Sequence, residues 1–310
     1  MPVAPLRDLV ISEYRDFGKI CGAIKNRYNP LFLVLTEFCM NYLKQIFLFI
    51  ISFPVLSRIW GKITKLEFPA VLISKAIQIY ASHYEIDMKN FEGELEDYDS
   101  LCAFFTRKLD PSVRPLKNDE NAFLSPCDGV VSVLENIHAD VATQVKGKNY
   151  LVSDLIKKEL PFEKGFWLAT IYLSPRDYHR FHVPVDSTLS AYIHTGWRLF
   201  PVNSLGLENI DRLFIRNERV VAKFKAENFT YFYTAVGATF VGSIKMNFTE
   251  KFSDEWVKND KKYSQNDEFG MFEMGSTIVL LVPEEAVKKP MIAQGEKIGV
   301  GEPLFELKKS

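Results

Sequence analysis

The feature that most constrains the fold of this 310-residue chain is a change of texture near Pro115. Before it, apolar residues recur at helical spacing on one face, as in Leu72, Ile73, Ala76, Ile77 and Tyr80. After it, short β-branched and aromatic runs are separated by Gly, Pro, Asn and Asp, which is typical of β-rich domains. The sequence therefore predicts an α+β protein, with a helical part at residues 1–115 and β-rich sandwich-like or barrel-like sheets at residues 116–310.

Short apolar runs in the second part predict its strands. They are Val130–Leu134, Phe166–Leu173, Leu189–His194, Val220–Phe224, Tyr231–Val236, Thr239–Lys245 and Thr277–Val282. Residues 251–268 are charged and poor in aliphatic side chains, so we predict a mobile surface loop there. Ser100 is predicted to cap a short helix that continues to about Lys108.

The segment Leu31–Leu56 is apolar and long enough to cross a bilayer. Glu37 and Lys44 interrupt it, and each would cost about 2.5–3.5 kcal/mol near the bilayer centre. With other polar residues they form one stripe, which favours an amphipathic helix on a membrane surface over a spanning helix. Basic residues on both sides would attract an anionic surface: Lys25, Arg27, Arg58, Lys62 and Lys65. A buried helical hairpin remains the alternative.

Charge and cysteine content narrow the classes of function. Lys and Arg number 38 against 39 Asp and Glu, a formal net charge of −1, so nothing indicates a nucleic-acid partner. The 4 cysteines are widely spaced and form no CxxC pair, which argues against a zinc site and a dense disulfide framework. We therefore expect no metal and a reducing compartment.

The segment Glu273–Thr277 precedes the apolar run Ile278–Val282, which predicts a tight loop that leads into a buried strand. Gly275 can adopt backbone angles that other residues avoid, so its carbonyl can approach the Ser276 hydroxyl. This arrangement would permit an N-to-O acyl shift. The alternative is an ordinary turn in which the two hydroxyls cap the start of the strand.

Candidate partners for this serine lie in two other segments. Tyr172–Pro184 contains His179 and His182, which would point to opposite faces of a regular strand and share a site only if the chain turns or bulges between them. Asp128 lies in an Asp-Gly turn, for which simple turn chemistry is the alternative. Asp, His and Ser from separate segments are the parts of a catalytic triad.

Several motifs occur together in one order along the chain. They are Phe104-Phe105-x-Arg107, Ser125-Pro126-x-Asp128-Gly129, the run Tyr172–Pro184, Asn217-Glu218-Arg219, Val236–Thr239 with Val241–Ile244, and Gly275-Ser276-Thr277. Over roughly residues 55–307 the chain resembles the phosphatidylserine decarboxylase family. Two positions depart from the family pattern: Met274 stands where Leu is common, and Thr195–Arg198 replaces a Pro-Gly-containing stretch.

The resemblance implies an enzyme that cuts itself between Gly275 and Ser276 into a large β chain and a small α chain, which stay together as a heterodimer. His182, oriented by Asp128, would take the proton of Ser276, which becomes a pyruvoyl group. That group would form a Schiff base with phosphatidylserine, and His179 would protonate the carbanion left by carbon dioxide, giving phosphatidylethanolamine. Neither a metal nor pyridoxal phosphate is implied.

The implied partner is phosphatidylserine in anionic membranes, with peripheral attachment at the cytoplasmic face of the cell membrane. A higher homo-oligomer is compatible with the sequence. Two other hypotheses stay open. Glycine turns in Gly295–Leu304 resemble lipoyl- and biotinyl-carrier domains, although no lysine has the hairpin context that those carriers modify. The second hypothesis is an inactive membrane-anchored binding protein. The presence of Ser276, His182 and Asp128 argues against it.

Overall fold

The structure is a computed structural model that describes residues 30–67, 69–145, 148–160, 164–239, 244–249, 253–273 and 276–308. Contacts divide the chain into two units, Met1–Leu48 and Phe49–Ser310. All strands of the described residues belong to the second unit, together with every candidate site residue that the structure describes. The helices precede most of the strands along the chain, so the predicted α+β class is confirmed. The predicted boundary between residues 115 and 116 stays a prediction.

The helices of the first part lie close to where the apolar periodicity predicts them. In the described residues the α-helices are α1 (Pro30–Ile51), α2 (Pro54–Thr64), α3 (Ala70–His83), α4 (Leu101–Phe105), α5 (Val152–Ile156), α6 (Ser204–Asn209) and α7 (Leu213–Arg216). Two short 3₁₀ helices, Met88–Asn90 and Leu95–Asp97, lie between α3 and α4. The Ser100 hydroxyl accepts a hydrogen bond from the Ala103 amide at 3.1 Å and caps α4 as predicted, but α4 ends at Phe105.

The predicted helix Leu31–Leu56 is broken near its end. Pro54 is the first residue of α2, where its missing N–H and fixed φ suit a helix start but cannot continue α1. Among the described residues no single helix is long and apolar enough to cross a membrane. The segments Tyr42–Ile51 and Pro54–Thr64 meet that criterion only as a pair, with a bend of 56° between them.

Short antiparallel strands form most of the second part. They are β1 (Ala122–Leu124), β2 (Gly129–Ile137), β3 (Ala142–Val145), β4 (Lys148–Tyr150), β5 (Phe166–Leu173), β6 (Arg180–His182), β7 (Ser187–Thr195), β8 (Arg219–Ala226), β9 (Thr230–Gly237), β10 (Ile244–Met246), β11 (Val257–Lys258), β12 (Lys262–Tyr263), β13 (Glu268–Phe272), β14 (Ser276–Pro283), β15 (Val287–Pro290), β16 (Lys297–Ile298) and β17 (Pro303–Leu307).

The largest sheet of the described residues has nine strands, and β14 lies inside it. Its order is β11-β7-β8-β9-β14-β5-β2-β16, with β12 also paired to β7. Residues Ser276 to Val282 of β14 are all buried, which explains why Ile278–Val282 is a continuous apolar run rather than an alternating one. Smaller sheets join β1-β17-β15, β10-β13-β6 and β3-β4. The sheet β10-β13-β6 brings the histidine segment beside the strand that leads toward Ser276.

Two of the sequence predictions for this part differ from the structure. The predicted loop 251–268 contains β11 and β12, which pair with β7. Two-residue strands at the end of a sheet are held by backbone hydrogen bonds, so they need no apolar pattern and composition misses them. Of the predicted strand Thr239–Lys245, only the part from Ile244 onward is a strand in the described residues, and residues 240–243 lie outside them.

Aromatic side chains from several sheets fill the core. Phe181 lies 4.8 Å from Phe272 between ring centroids, and Phe224 lies 5.0 Å from Phe269. All four rings are fully buried. Burial of such a side chain stabilises the fold by roughly 1.5–3 kcal/mol. This packing fixes β6 against β13, which are the two strands that carry or precede the candidate site residues.

Candidate active site

Ser276 is the first residue of β14 and lies between two other strands. Its register partners are Gly237 on β9 and Leu173 on β5. The residue is 0% exposed, and its hydroxyl oxygen has no hydrogen-bond partner among the described residues. A buried hydroxyl without a partner destabilises a fold by about 1–3 kcal/mol. Gly275, its predicted cleavage partner, lies outside the described residues, as does Met274.

The side chain of Asn217 holds Gly237, the β9 residue that pairs with Ser276. Its amide nitrogen donates to the carbonyl oxygens of Gly237 and Phe200, both at 2.8 Å, and its oxygen accepts from the Phe200 amide at 2.9 Å. Asn217 is fully buried, so these bonds satisfy its polar atoms. This network fixes the backbone that faces Ser276.

His182 ends β6, and both of its ring nitrogens have partners. Nδ1 lies 2.7 Å from the Asn266 carbonyl oxygen, and Nε2 lies 3.0 Å from the Tyr178 hydroxyl. A carbonyl only accepts, so Nδ1 carries the proton and Nε2 accepts from Tyr178. Burial lowers the pKa of His182, while the bond to the Asn266 carbonyl acts in the opposite direction. The imidazole is therefore a neutral base with Nε2 as its accepting atom.

His179 is nearer in sequence than His182 to Leu173, which pairs with Ser276. Its Nε2 lies 3.1 Å from the carbonyl oxygen of Ser174, the residue that follows Leu173. Its Nδ1 is buried and has no hydrogen-bond partner among the described residues. The ring stacks on Phe105 at 3.9 Å between centroids. His179 is 0% exposed, and burial together with the nearby Arg107 cation holds its pKa well below 6.5.

Asp128 precedes β2 and forms an ion pair. The two Arg114 nitrogens Nη1 and Nη2 donate to its two carboxylate oxygens at 2.8 and 2.7 Å, and the Val300 amide donates at 2.8 Å. Within the part of the chain that the structure describes, no hydrogen bond joins Asp128 to His182. The direct orientation of His182 by Asp128 is therefore not seen among the described residues. Asp128 accepts from Arg114 and Val300, and the Asn266 carbonyl accepts from His182 Nδ1.

Sequence reasoning did not identify Arg114, Tyr178 or Asn266. Asn266 has φ +68°, a left-handed conformation that asparagine tolerates better than most residues. In the sequence, Asn266 is marked only by its place in the polar run Ser264–Asp267. That run does not indicate that a backbone carbonyl there accepts a hydrogen bond from a histidine. Tyr178 lies within the histidine segment, so its proximity could have been proposed from the sequence.

Glu273 ends the described chain before the candidate cleavage site. It is 4% exposed and forms ion pairs with Lys65 at 2.7 Å and Lys245 at 3.3 Å. Lys65 directly follows α2, so this carboxylate connects α2 to the segment before Ser276. Among the described residues, no group of three or more His, Cys, Asp or Glu side chains is arranged to hold a metal ion.

Comparison with known proteins agrees with these features. Residues 101–306 match the family model for phosphatidylserine decarboxylase. The chain is 38% identical over 262 residues to the phosphatidylserine decarboxylase proenzyme of Brevibacillus brevis, which covers 80% of this chain and 92% of the relative. It is 36% identical over 258 residues to the proenzyme of Helicobacter pylori, with 79% and 96% covered, and 39% identical over 254 residues to that of Shewanella baltica, with 75% and 85% covered. With a family match over most of the chain and a buried serine at the predicted position, this chain belongs to the phosphatidylserine decarboxylase family.

Proposed function

We propose that this chain is a proenzyme that cuts itself between Gly275 and Ser276 and then decarboxylates phosphatidylserine to phosphatidylethanolamine. The observation that carries the proposal is the Ser276 hydroxyl, which is buried at the start of a central strand without a partner. A fold that keeps such a group at a cost of about 1–3 kcal/mol favours a chemical role for it. Its family membership supplies the reaction class.

The cleavage would begin when the Ser276 oxygen attacks the Gly275 carbonyl carbon and its proton passes to a neutral imidazole. The peptide C–N bond breaks, the amine of residue 276 takes up a proton, and an ester remains. In the β-elimination a base removes the Cα proton of residue 276 and the Cβ–O bond of the ester breaks. This releases a chain that ends at the Gly275 carboxylate and leaves dehydroalanine at position 276. Water then replaces the nitrogen, which leaves as ammonia, and a pyruvoyl group remains.

His182 is our candidate for the base in that step. Its pKa is lowered, so it is neutral at pH 7, and its Nε2 is the atom that accepts hydrogen bonds. Tyr178 holds Nε2 in this structure, so its hydroxyl would have to release the nitrogen or relay the proton. Asp128 would act on His182 through its charge, which, like the charge of Glu268, favours the protonated imidazole.

The decarboxylation step also needs a residue that protonates the substrate carbon. The pyruvoyl group supplies an electrophilic carbonyl that accepts the electrons released with carbon dioxide, so no metal and no pyridoxal phosphate is required. His179 is our candidate to protonate the substrate carbon afterwards. Its Nε2–H is held by the Ser174 carbonyl, so the proton would be carried on the free Nδ1. Burial and the Arg107 cation lower the pKa of His179 and keep it neutral, so this role requires that the negative charge of bound substrate raise that pKa.

We further propose peripheral attachment to the cytoplasmic face of the cell membrane. Most of the exposed large apolar side chains of the described residues lie between residues 40 and 79, chiefly on α1, α2 and α3. Exposed apolar area of this kind marks a surface that contacts protein or lipid. Since the substrate is a membrane lipid, a lipid surface is the partner we favour.

Self-processing is tested by intact-mass spectrometry of the purified protein. We expect a fragment of residues 1–275 and a fragment of residues 276–310 whose mass shows a ketone in place of the amino terminus. Ser276→Ala should stay at full length, because a methyl group cannot attack a carbonyl. A preparation that decarboxylates phosphatidylserine while its chain remains uncut would contradict the proposal.

A further inference from the structure

Arg198 is an almost buried cation surrounded by aromatic rings. Its side chain and backbone are 5% exposed together. The guanidinium carbon lies 4.1 Å from the ring centroid of Phe49, 4.0 Å from that of Phe53 and 4.1 Å from that of Trp197. Such contacts are attractive and hold the planar group in one orientation, but they leave its charge uncompensated.

The hydrogen-bonding capacity of this guanidinium is mostly unused. Its one side-chain bond among the described residues runs from Nη1 to the Ser52 hydroxyl at 3.3 Å, and within the same residues it has no carboxylate partner. A guanidinium has five N–H groups. Nε and Nη2 have no acceptor, yet neither is among the fully buried unpaired atoms, so both reach the surface. The charge that acts most on Arg198 is Arg216, which like burial lowers the pKa of Arg198.

The position of Arg198 connects the bent helices to the candidate active site. The neighbouring Leu199 amide donates to the Ser52 carbonyl at 2.9 Å, in the bend between α1 and α2. On its other side, Leu199 packs so closely on Gly237 that a Cβ there would lie 3.1 Å from Leu199 Cδ2. Gly237 is the register partner of Ser276. Arg198 therefore lies one residue from the side chain that covers the backbone opposite the reactive serine.

We propose that Arg198, assisted by the charge of Arg216, binds the phosphate of a phospholipid headgroup and so holds the headgroup beside Ser276. The identity of the lipid as phosphatidylserine rests on the proposed function, whereas the phosphate site does not. Phosphate oxygens accept two parallel hydrogen bonds from one edge of a guanidinium. Trp197 is 63% exposed, and aromatic side chains of this kind lie at the headgroup level of a bilayer.

An anionic phosphate group is common to lipid headgroups and free phosphate. Calorimetric titration of the purified full chain can separate them with four ligands. These are dihexanoyl phosphatidylethanolamine below its micelle concentration, glycerophosphoethanolamine, sodium phosphate and, as a phosphate-free control, dihexanoylglycerol. We expect Arg198→Gln to weaken binding of the short-chain phospholipid by about 10-fold to 100-fold, as for a lost charged hydrogen bond. Binding of dihexanoylglycerol should not change.

The matched control is Arg212→Gln. It removes one positive charge from the same stretch of chain, but Arg212 pairs with Asp154 at 3.8 Å and contacts none of the three rings. This variant should bind the phospholipid like the wild type. If Arg198→Gln does not fold by circular dichroism, Arg198→Lys, which keeps the charge but loses the planar fork, takes its place and should also bind the phospholipid more weakly.

Three results would overturn the proposal. A folded Arg198 variant with wild-type affinity for the phospholipid would make Arg198 only a structural contact between the bend and the segment that follows β7. Equal weakening by Arg212→Gln would reduce the effect to general charge. Sodium phosphate that binds as tightly as the phospholipid, with the same dependence on Arg198, would assign the site to free phosphate. If binding depends on Arg198 but the wild type does not decarboxylate phosphatidylserine, the proposed function fails and the phosphate site stands.

Discussion

At the scale of single residues, two hydrogen bonds decide which nitrogen of His182 can act as a base. The Asn266 carbonyl binds Nδ1–H at 2.7 Å and so does what a carboxylate does for the histidine of a serine triad, which is to fix the tautomer and the ring orientation. The charges of Glu268 and, after it, Asp128 favour the protonated imidazole from a distance. The hydrogen bond to Nδ1 therefore comes from Asn266, whereas the family resemblance implied Asp128 for that position.

The two histidines can be separated by substitution. We expect His182→Ala to abolish self-cleavage, because the Ser276 proton would lose its proposed acceptor. His179→Ala should still be cut but decarboxylate about 10²-fold to 10⁴-fold more slowly, the range for a lost general acid. Electrophoresis under denaturing conditions reports cleavage, and release of carbon dioxide reports turnover. The free Nδ1 of His179 makes the reverse pattern a real outcome, and observing it would exchange the two roles.

Asp128 needs a control of its own, because its carboxylate is paired with Arg114. We expect Asp128→Asn to slow self-cleavage by removing the charge that favours protonated His182. Arg114→Gln removes the ion pair but keeps that charge, so it should leave self-cleavage closer to the wild-type rate. Equal loss in both variants would show that Asp128 acts only by stabilising the fold around Arg114.

At the scale of elements, α2 buries small side chains and exposes large apolar ones, the reverse of an ordinary amphipathic helix. The side that it packs against the protein consists of small residues, Ser57, Gly61 and Thr64, which are buried. Val55, Ile59 and Ile63 follow at i, i+4 and i+8 and are 59%, 51% and 45% exposed. A helix that buries its small side chains and exposes its apolar ones gains little from folding alone, which supports the proposed contact with a lipid surface.

This arrangement predicts the effect of charge on that apolar stripe. Ile59→Glu combined with Ile63→Glu should weaken binding to vesicles that contain phosphatidylserine by at least about 10-fold, because burial of each isoleucine contributes roughly 1.5–3 kcal/mol. Activity on short-chain substrate in detergent micelles should stay near that of the wild type, because both side chains are exposed. Sedimentation of the protein with vesicles measures the first quantity, and carbon dioxide release measures the second.

The control for this experiment is Val141→Glu combined with Met291→Glu. These side chains are 46% and 48% exposed, and both lie in the β-rich part of the chain. They undergo a similar chemical change away from α2, so vesicle binding should be unaffected. If vesicle binding and micelle activity of the α2 variant both fall, the two isoleucines stabilise the fold and do not form a membrane-binding surface.

At the scale of the whole molecule, the proposed cut would separate the chain before β14 but not remove β14 from the sheet. This strand pairs with β9 and β5 along nearly its whole length. Farther along the same fragment, β16 pairs with β2, and β17 pairs with β1. Dissociation would expose Ile278–Val282, which is fully buried, at a cost on the order of 10 kcal/mol.

We therefore expect the two fragments to behave as one particle after cleavage. Native mass spectrometry should detect a complex of both chains at neutral pH, and the fragments should separate only in denaturant, together with the loss of the sheet. The uncut Ser276→Ala chain provides the reference for elution volume. Release of the small fragment under native conditions would show that β14 is not held by the pairing described here.

The fold class and most of the central strands follow from the sequence alone, because they depend on local periodicity. Phe166–Leu173 is a strand with the predicted bounds, and the start of β14 at Ser276 lies one residue from the predicted start. A buried strand needs apolar residues on both faces, and that requirement is visible in Ile278–Val282 without any knowledge of its neighbours. The family motifs are likewise local, which is why their order could be identified before any geometry was known.

The contacts of the site residues required the tertiary structure, because they join positions that are far apart in the chain. Arg114 meets Asp128, and Asn266 meets His182 across 84 positions of sequence. The strands β11 and β12 form because β7 offers them free backbone groups, which a polar composition cannot indicate. Sequence determines which residues can bear charge or donate a proton. Only packing decides which of them become neighbours, since that depends on how separate strands pair.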